Sequence, residues 1–157
     1  MLEALLATPF VLALIVGLLP VQSRRPAAWL AGLAPLAGLA LLALLTPRVL
    51  EGEVVRALHP WVPGLGLALS LRLDGLAWMF AGLVLGIGGL IVLYARYYLS
   101  EEDSMPRFLS YLLLFMGAML GMVLAGNLVL LAVFWELTSV SSFLLIGFWN
   151  HRQDARD

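Results

Sequence analysis

Charges in this sequence come in clusters. Between the clusters lie three stretches of roughly 20 residues that carry none, and one of about twice that length that carries a single acid. A charge at the centre of a bilayer costs about 2.5 to 3.5 kcal/mol on insertion scales, so the clusters mark loops. The intervals are each long enough to cross a hydrocarbon layer about 30 Å thick. Composition agrees: 62% of residues are hydrophobic and 12% charged, whereas a soluble domain carries about 25% charged residues. A water-soluble globule would lack the polar surface to cover itself.

The charge-free intervals give spans at 4–23, 27–46 and 75–97, the last running just past Arg96. From Phe108 to Asn150 the ionisable groups are Glu136 and the phenol of Tyr111. That stretch is too long for one helix rising 1.5 Å per residue. Gly126-Asn127 is its one turn-like dipeptide, and dividing there gives spans at 107–125 and 128–149. The expected fold is an all-α integral membrane protein, a single membrane domain over 1–157 with about five transmembrane helices. The first span has no basic segment ahead of it and no small-residue cleavage pattern behind it, as a signal peptide would. With the N-terminus outside, Arg24, Arg25, Arg96, Arg107, Arg152 and Arg156 fall inside, and Arg48, Arg56 and Arg72 outside. The positive-inside rule therefore favours N-out and C-in.

The outer loop, 47–74, is the one long connection. Residues 65–73 alternate leucine with small or polar residues, the pattern of a short strand with one covered face. Pro60, Pro63, Gly64 and Gly66 make its approach non-helical. Asp74 stands where it would cap the third helix. Trp29, Trp78, Tyr94, Tyr97, Tyr98 and Trp149 fall near span ends as interfacial anchors. Gly82 with Gly86, and Gly117 with Gly121, form small-residue faces on which helices pack closely.

Glu136 lies about eight residues into the last span, roughly 12 Å below its outer end at 1.5 Å per residue, near mid-membrane. Such a carboxylate faces a bundle interior or a water-filled cavity, or takes up a proton. Ser139 and Val140 lie one turn onward on the same side, and Thr138, Ser141 and Ser142 form an adjoining polar strip. These hydroxyls either line an ion path beside the acid or satisfy helix carbonyls. Glu136 itself is either a packing group or a titrating site on a proton or cation route. Its basic partner is missing: the arginines sit at the membrane edges, His59 and His151 lie outside the spans, and the chain has no lysine.

Other chemistries find little support. There are no cysteines, so disulfides and thiolate metal sites are excluded. One mid-membrane carboxylate and two remote histidines are not a metal ligand set. Neither a nucleophile with its base nor a phosphate-cradling loop is present. A net charge of −1 gives no basic face for nucleic acid. The expectation is a non-enzymatic membrane protein with no cofactor.

The run from Phe134 through Trp-Glu-Leu-Thr-Ser to Trp149 resembles the fifth-helix signature of the large antiporter-like subunits. These are shared by Mrp-type multisubunit cation/proton antiporters and the membrane arm of respiratory complex I. Leu112 to Gly121, with its Phe-Met-Gly-Ala-Met core, and Leu73-Asp-Gly-Leu76 resemble the same family, and the wording is closer to the A subunits of Mrp-type antiporters. The likeness is strongest over about 70–152. It implies that Glu136 pairs with a lysine on a later helix, and the position of Thr138, Ser139 and Ser142 near that acid makes them the expected lining of the ion path. It further implies a role in proton-coupled sodium or potassium export, with other membrane subunits as partners, in the inner (cytoplasmic) membrane. On this likeness the chain is expected to be the N-terminal portion of a longer polypeptide. A proton-translocating subunit of an NADH:quinone oxidoreductase and a non-transporting scaffold are the alternatives.

Overall fold

The computed structural model describes residues 1–62 and 67–149. Leu65, Pro63, Gly64 and Gly66 in the loop, and Asn150, His151, Arg152 and Arg156 after the last helix, lie outside the described residues, as does the Trp149 side chain.

Among the described residues the fold has five helices and one hairpin: α1 (Leu2–Gly17), α2 (Arg24–Leu50), β1 (Val55–Val62), β2 (Leu67–Leu73), α3 (Gly75–Tyr98), α4 (Met105–Leu124) and α5 (Leu128–Ile146). A single 3-10 turn, Gly147–Trp149, follows α5. Helices α2 to α5 are each long and apolar enough to cross a membrane. The 16-residue α1 is shorter, about 24 Å at 1.5 Å per residue. It stops at Gly17 and does not run to residue 23, because Pro20 disfavours helix in the residue before it. Leu14, Leu18, Leu36, Leu90, Phe143 and Ile146 are exposed on the bundle's exterior, a surface suited to lipid and costly in water.

Helix α4 is the hub, packing against each of the other four. Leu109, Leu113, Leu120 and Leu124 on it are fully buried. Its glycines admit aromatic rings: a Cβ at Gly117 would fall 2.9 Å from the Phe10 ring of α1, and one at Gly121 would collide with the Phe134 ring of α5. The expected second pair behaves differently. A Cβ on Gly86 would meet open space, and the close approaches of α3 are made at Gly88, against Met116, and Gly89, against Pro35. Polar contacts add to the packing. Ser110 donates to the Ala13 carbonyl at 2.8 Å, and the Trp78 indole donates to the Thr46 hydroxyl at 3.0 Å. Trp78 is thus a helix-to-helix tie as well as an expected interfacial anchor.

The alternating segment is a strand over its described residues, Leu67–Leu73, as its pattern suggests, but it has an antiparallel partner. Val55 pairs with Leu73, and the register runs to Pro60 opposite Ala68, with an irregularity between Pro60 and Val62. Leu71 and Leu73 are buried and Arg72 is exposed, the two faces expected of period two. The hairpin covers the end of the bundle where α1, α3 and α5 begin and α2 and α4 finish. Asp74 caps α3 there, accepting from the Ala77 amide at 2.9 Å. The opposite end carries Arg24, Arg25, Arg96 and Arg107. There the Arg24 guanidinium donates to the carbonyls of Leu99 (2.8 Å), Ser100 (2.8 Å) and Asp103 (3.0 Å), holding the α3–α4 loop.

Candidate functional site

Helix α5 carries the acid of interest, and two side-chain contacts fix its starting point. Asn127 caps it, its Oδ1 accepting from the Leu130 amide at 2.8 Å, which satisfies one of the unpaired amides of a first turn. The same side chain donates from Nδ2 to the Ala68 carbonyl at 2.9 Å, and the Gly126 amide donates to the Ser70 carbonyl at 2.7 Å. The depth of every α5 residue is thereby set relative to the hairpin.

One side of α5 lies against α4. Phe134 sits over Gly121, with its ring centroid 6.3 Å from that of Phe10. Ser141, 1% exposed, is buried on the same side. Beyond the helix, Phe148 meets Phe108 edge-on with centroids 5.2 Å apart.

Glu136 points the other way. It is exposed, together with Val129, Val133, Ser139, Val140 and Phe143, on the face of α5 turned from the bundle. It makes no hydrogen bond or ion pair among the described residues. Arg48–Glu53, Arg72–Asp74 and the N-terminal ammonium with Glu3 are ion-paired at the hairpin end, where His59 also hydrogen-bonds Glu3. No cluster of three or more His, Asp or Glu residues suited to a metal ion occurs among the described residues.

The structure places the four expected site residues in unequal settings. Ser139 shares the outward face with Glu136 and Ser142 is half-buried on its flank, while Thr138 is half-buried across the helix, near the side that Phe134 presents to α4. Two of these hydroxyls are turned to their own helix, Thr138 donating to the Trp135 carbonyl at 2.6 Å and Ser139 to the same oxygen at 3.4 Å. Ser141 donates to the Leu137 carbonyl at 2.7 Å. In this chain they act as backbone satisfiers. None of them binds the carboxylate. Sequence reasoning did not find the second role of Asn127 or the Arg24 clamp. Their partners are main-chain carbonyls, which leave no mark on residue identity.

Residues 61–109 match the family described as NADH-Ubiquinone oxidoreductase (complex I), chain 5 N-terminus. Over all 157 residues the chain is 50% identical to a Rhizobium meliloti protein described as the A/B subunit of a probable K(+)/H(+) antiporter, of which it covers 16%. It is 44% identical over 94% of its length to the A subunit of the Na(+)/H(+) antiporter from Alkalihalophilus pseudofirmus, covering 19% of that protein. The fold is similar to a chain in the structure of the Mrp complex from a Dietzia species, with a TM-score of 0.79, 37% identity, and coverage of 92% of this chain and 16% of that one. The chain thus spans less than a fifth of the length of the curated relatives named here.

Proposed function

Because this chain is related along its length to the A subunits of monovalent cation/proton antiporters, we propose that it forms part of such an antiporter, with Glu136 as a titrating, ion-pairing group. In this reading protons enter as sodium or potassium leaves, across the cytoplasmic membrane. The five helices are one portion of a larger polypeptide that works beside other membrane subunits.

The observation that carries the reading is the position of Glu136. It lies eight residues into α5 on a face that none of the described residues covers, about 12 Å from the start of the helix at 1.5 Å per residue. A carboxylate left at that depth against hydrocarbon would cost several kcal/mol or hold its proton. A cation or a water-filled path laid against the face stabilises its charged form. Removing that counter-charge favours proton uptake, so a small rearrangement of the covering partner switches the group. In this reading Ser139 and Ser142 lie beside it and Thr138 farther round the helix, and the Ser139 and Thr138 hydroxyls can leave the Trp135 carbonyl for water as the path opens.

Glu136→Gln in the intact assembly tests this. The amide keeps the shape and removes the titration. The expected result is an assembled complex in membrane vesicles that has lost cation-dependent proton exchange. Unchanged exchange overturns the assignment, and loss of assembly points to a packing role in a non-transporting scaffold. A second reading, a proton-translocating subunit of an NADH:quinone oxidoreductase, is favoured by the match over 61–109. It predicts proton movement coupled to quinone reduction and indifferent to sodium and potassium.

A further inference from the structure

Away from α5, a groove of about 370 Å³ runs between α2 and α3 on the bundle's exterior. Gly32, Pro35, Gly86 and Gly89 line it among larger apolar side chains. It extends from Ala28 to Leu39 along α2 and from Leu85 to Arg96 along α3, about 16 Å at 1.5 Å per residue. Its lining is apolar until its end, where Arg96 and Trp29 stand together. The Arg96 guanidinium lies over the Trp29 ring, 5.4 Å from its centroid, and 5.7 Å from that of Tyr97.

Arg96 forms no ion pair among the described residues. The neighbouring acids are otherwise placed: the Asp103 carboxylate accepts from the Ser100 amide and hydroxyl, and Glu101 and Glu102 are exposed in the loop. Trp29 is 67% exposed and Tyr97 77%, as side chains at the headgroup level of a bilayer are. Arg24, Arg25 and Arg107 stand at the same end of the bundle. The positive-inside rule assigns that end to the cytoplasmic leaflet, where anionic lipids are read by basic pockets between helices.

We propose that this groove holds an anionic phospholipid, one acyl chain lying between α2 and α3 and the headgroup phosphate on Arg96. An apolar trough of acyl-chain dimensions ends in an unpaired cation flanked by interfacial aromatics, and that combination complements both halves of the lipid. A protein helix laid in the same trough would have to bring its own acid to answer Arg96.

The test uses the intact assembly in vesicles containing either spin-labelled phosphatidylglycerol or spin-labelled phosphatidylcholine, and reads the motionally restricted fraction of each. The expected result is a preference for phosphatidylglycerol that falls about fivefold in Arg96→Gln, the attraction of one arginine near the surface. Arg96→Lys restores most of it. Gly86→Leu, which fills the trough from a position where a Cβ meets open space, lowers the restricted fraction without needing the charge. Arg48→Gln at the other end leaves the preference as it was. Equal restriction of the two lipids, or a preference unmoved by both Arg96→Gln and Gly86→Leu, overturns the proposal. So does a cysteine at Gly32 that cross-links to another polypeptide and not to lipid.

Discussion

Asn127 binds two elements with one side chain, its carbonyl oxygen accepting from the Leu130 amide at 2.8 Å while its amide donates to the Ala68 carbonyl at 2.9 Å. An aspartate could do the first but not the second. Asn127→Asp is therefore expected to keep α5 capped and to release the hairpin, read as faster amide hydrogen exchange in 67–73 with little change at Leu130. Asn127→Ala loses both and costs about 1 kcal/mol for the cap alone. Exchange in 67–73 that stays at the unsubstituted protein's rate in both variants would show that the hairpin is held by the Gly126–Ser70 bond by itself.

Asp74 gives the same end of the molecule an acid limit. The Ala77 amide that it caps, and to a lesser extent the nearby Arg72, hold its carboxyl below the ordinary value of 3.8 against the opposing effect of burial. A depressed folded value means that the contribution is complete above the unfolded value. It is lost as the pH falls through the folded one. Unfolding in detergent should show a stability that is flat above about pH 4 and declines below it, with Asp74→Ala about 1 kcal/mol less stable on the plateau and its acid decline shallower. An identical acid limb in Asp74→Ala would assign that decline to other carboxylates.

The glycines separate into packed and open positions. A Cβ at Gly121 collides with the Phe134 ring, whereas one at Gly86 meets nothing within 4 Å. Gly121→Ala is expected to cost about 1 to 3 kcal/mol by overpacking and to lower the melting temperature in detergent. Gly86→Ala should leave it unchanged or raise it slightly, since alanine favours helix. Combining Gly121→Ala with Phe134→Leu should recover part of the loss. A cost for Gly86→Ala as large as that for Gly121→Ala would contradict the packing described.

These contrasts show what the sequence made legible. Charge spacing placed the helices because hydrocarbon penalises a charge wherever it occurs, and period two revealed β2 because Leu71 and Leu73 need cover. The partner strand β1 escaped notice because Arg56, His59 and Pro60 interrupt its alternation, and its pairing is made by main-chain groups. Two small-residue faces looked alike in sequence. Which of them is packed depends on the ring that arrives from another helix, Phe10 and Phe134 for α4, and on nothing local to Gly82 or Gly86. For the candidate site, the helix position of Glu136 was legible from its distance to Gly126-Asn127. Its outward direction was not, because α5 is apolar on nearly every side, and the inner one is distinguished by the burial of Leu130, Phe134 and Ser141.

The outward face of α5 supplies a last prediction, made easier by a chain without cysteines. Ser139 is exposed beside Glu136, Ser142 is half-buried on the flank, Phe143 is exposed among apolar neighbours, and Ser141 is buried against α4. If the Glu136 face lines a hydrated path in the proposed antiporter, a cysteine at Ser139 or Ser142 should react with a membrane-impermeant thiol reagent. One at Ser141 should not. Thiolate formation requires water, so a cysteine held against lipid stays unreactive even where nothing shields it sterically. Reaction at Ser139 should also slow as cation concentration rises, if the ion occupies the same path. Ser139 and Ser141 equally inert, with Glu136→Gln still inactive, would place the acid in a dry ion pair; Ser139 inert and Glu136→Gln active would remove it from the path altogether.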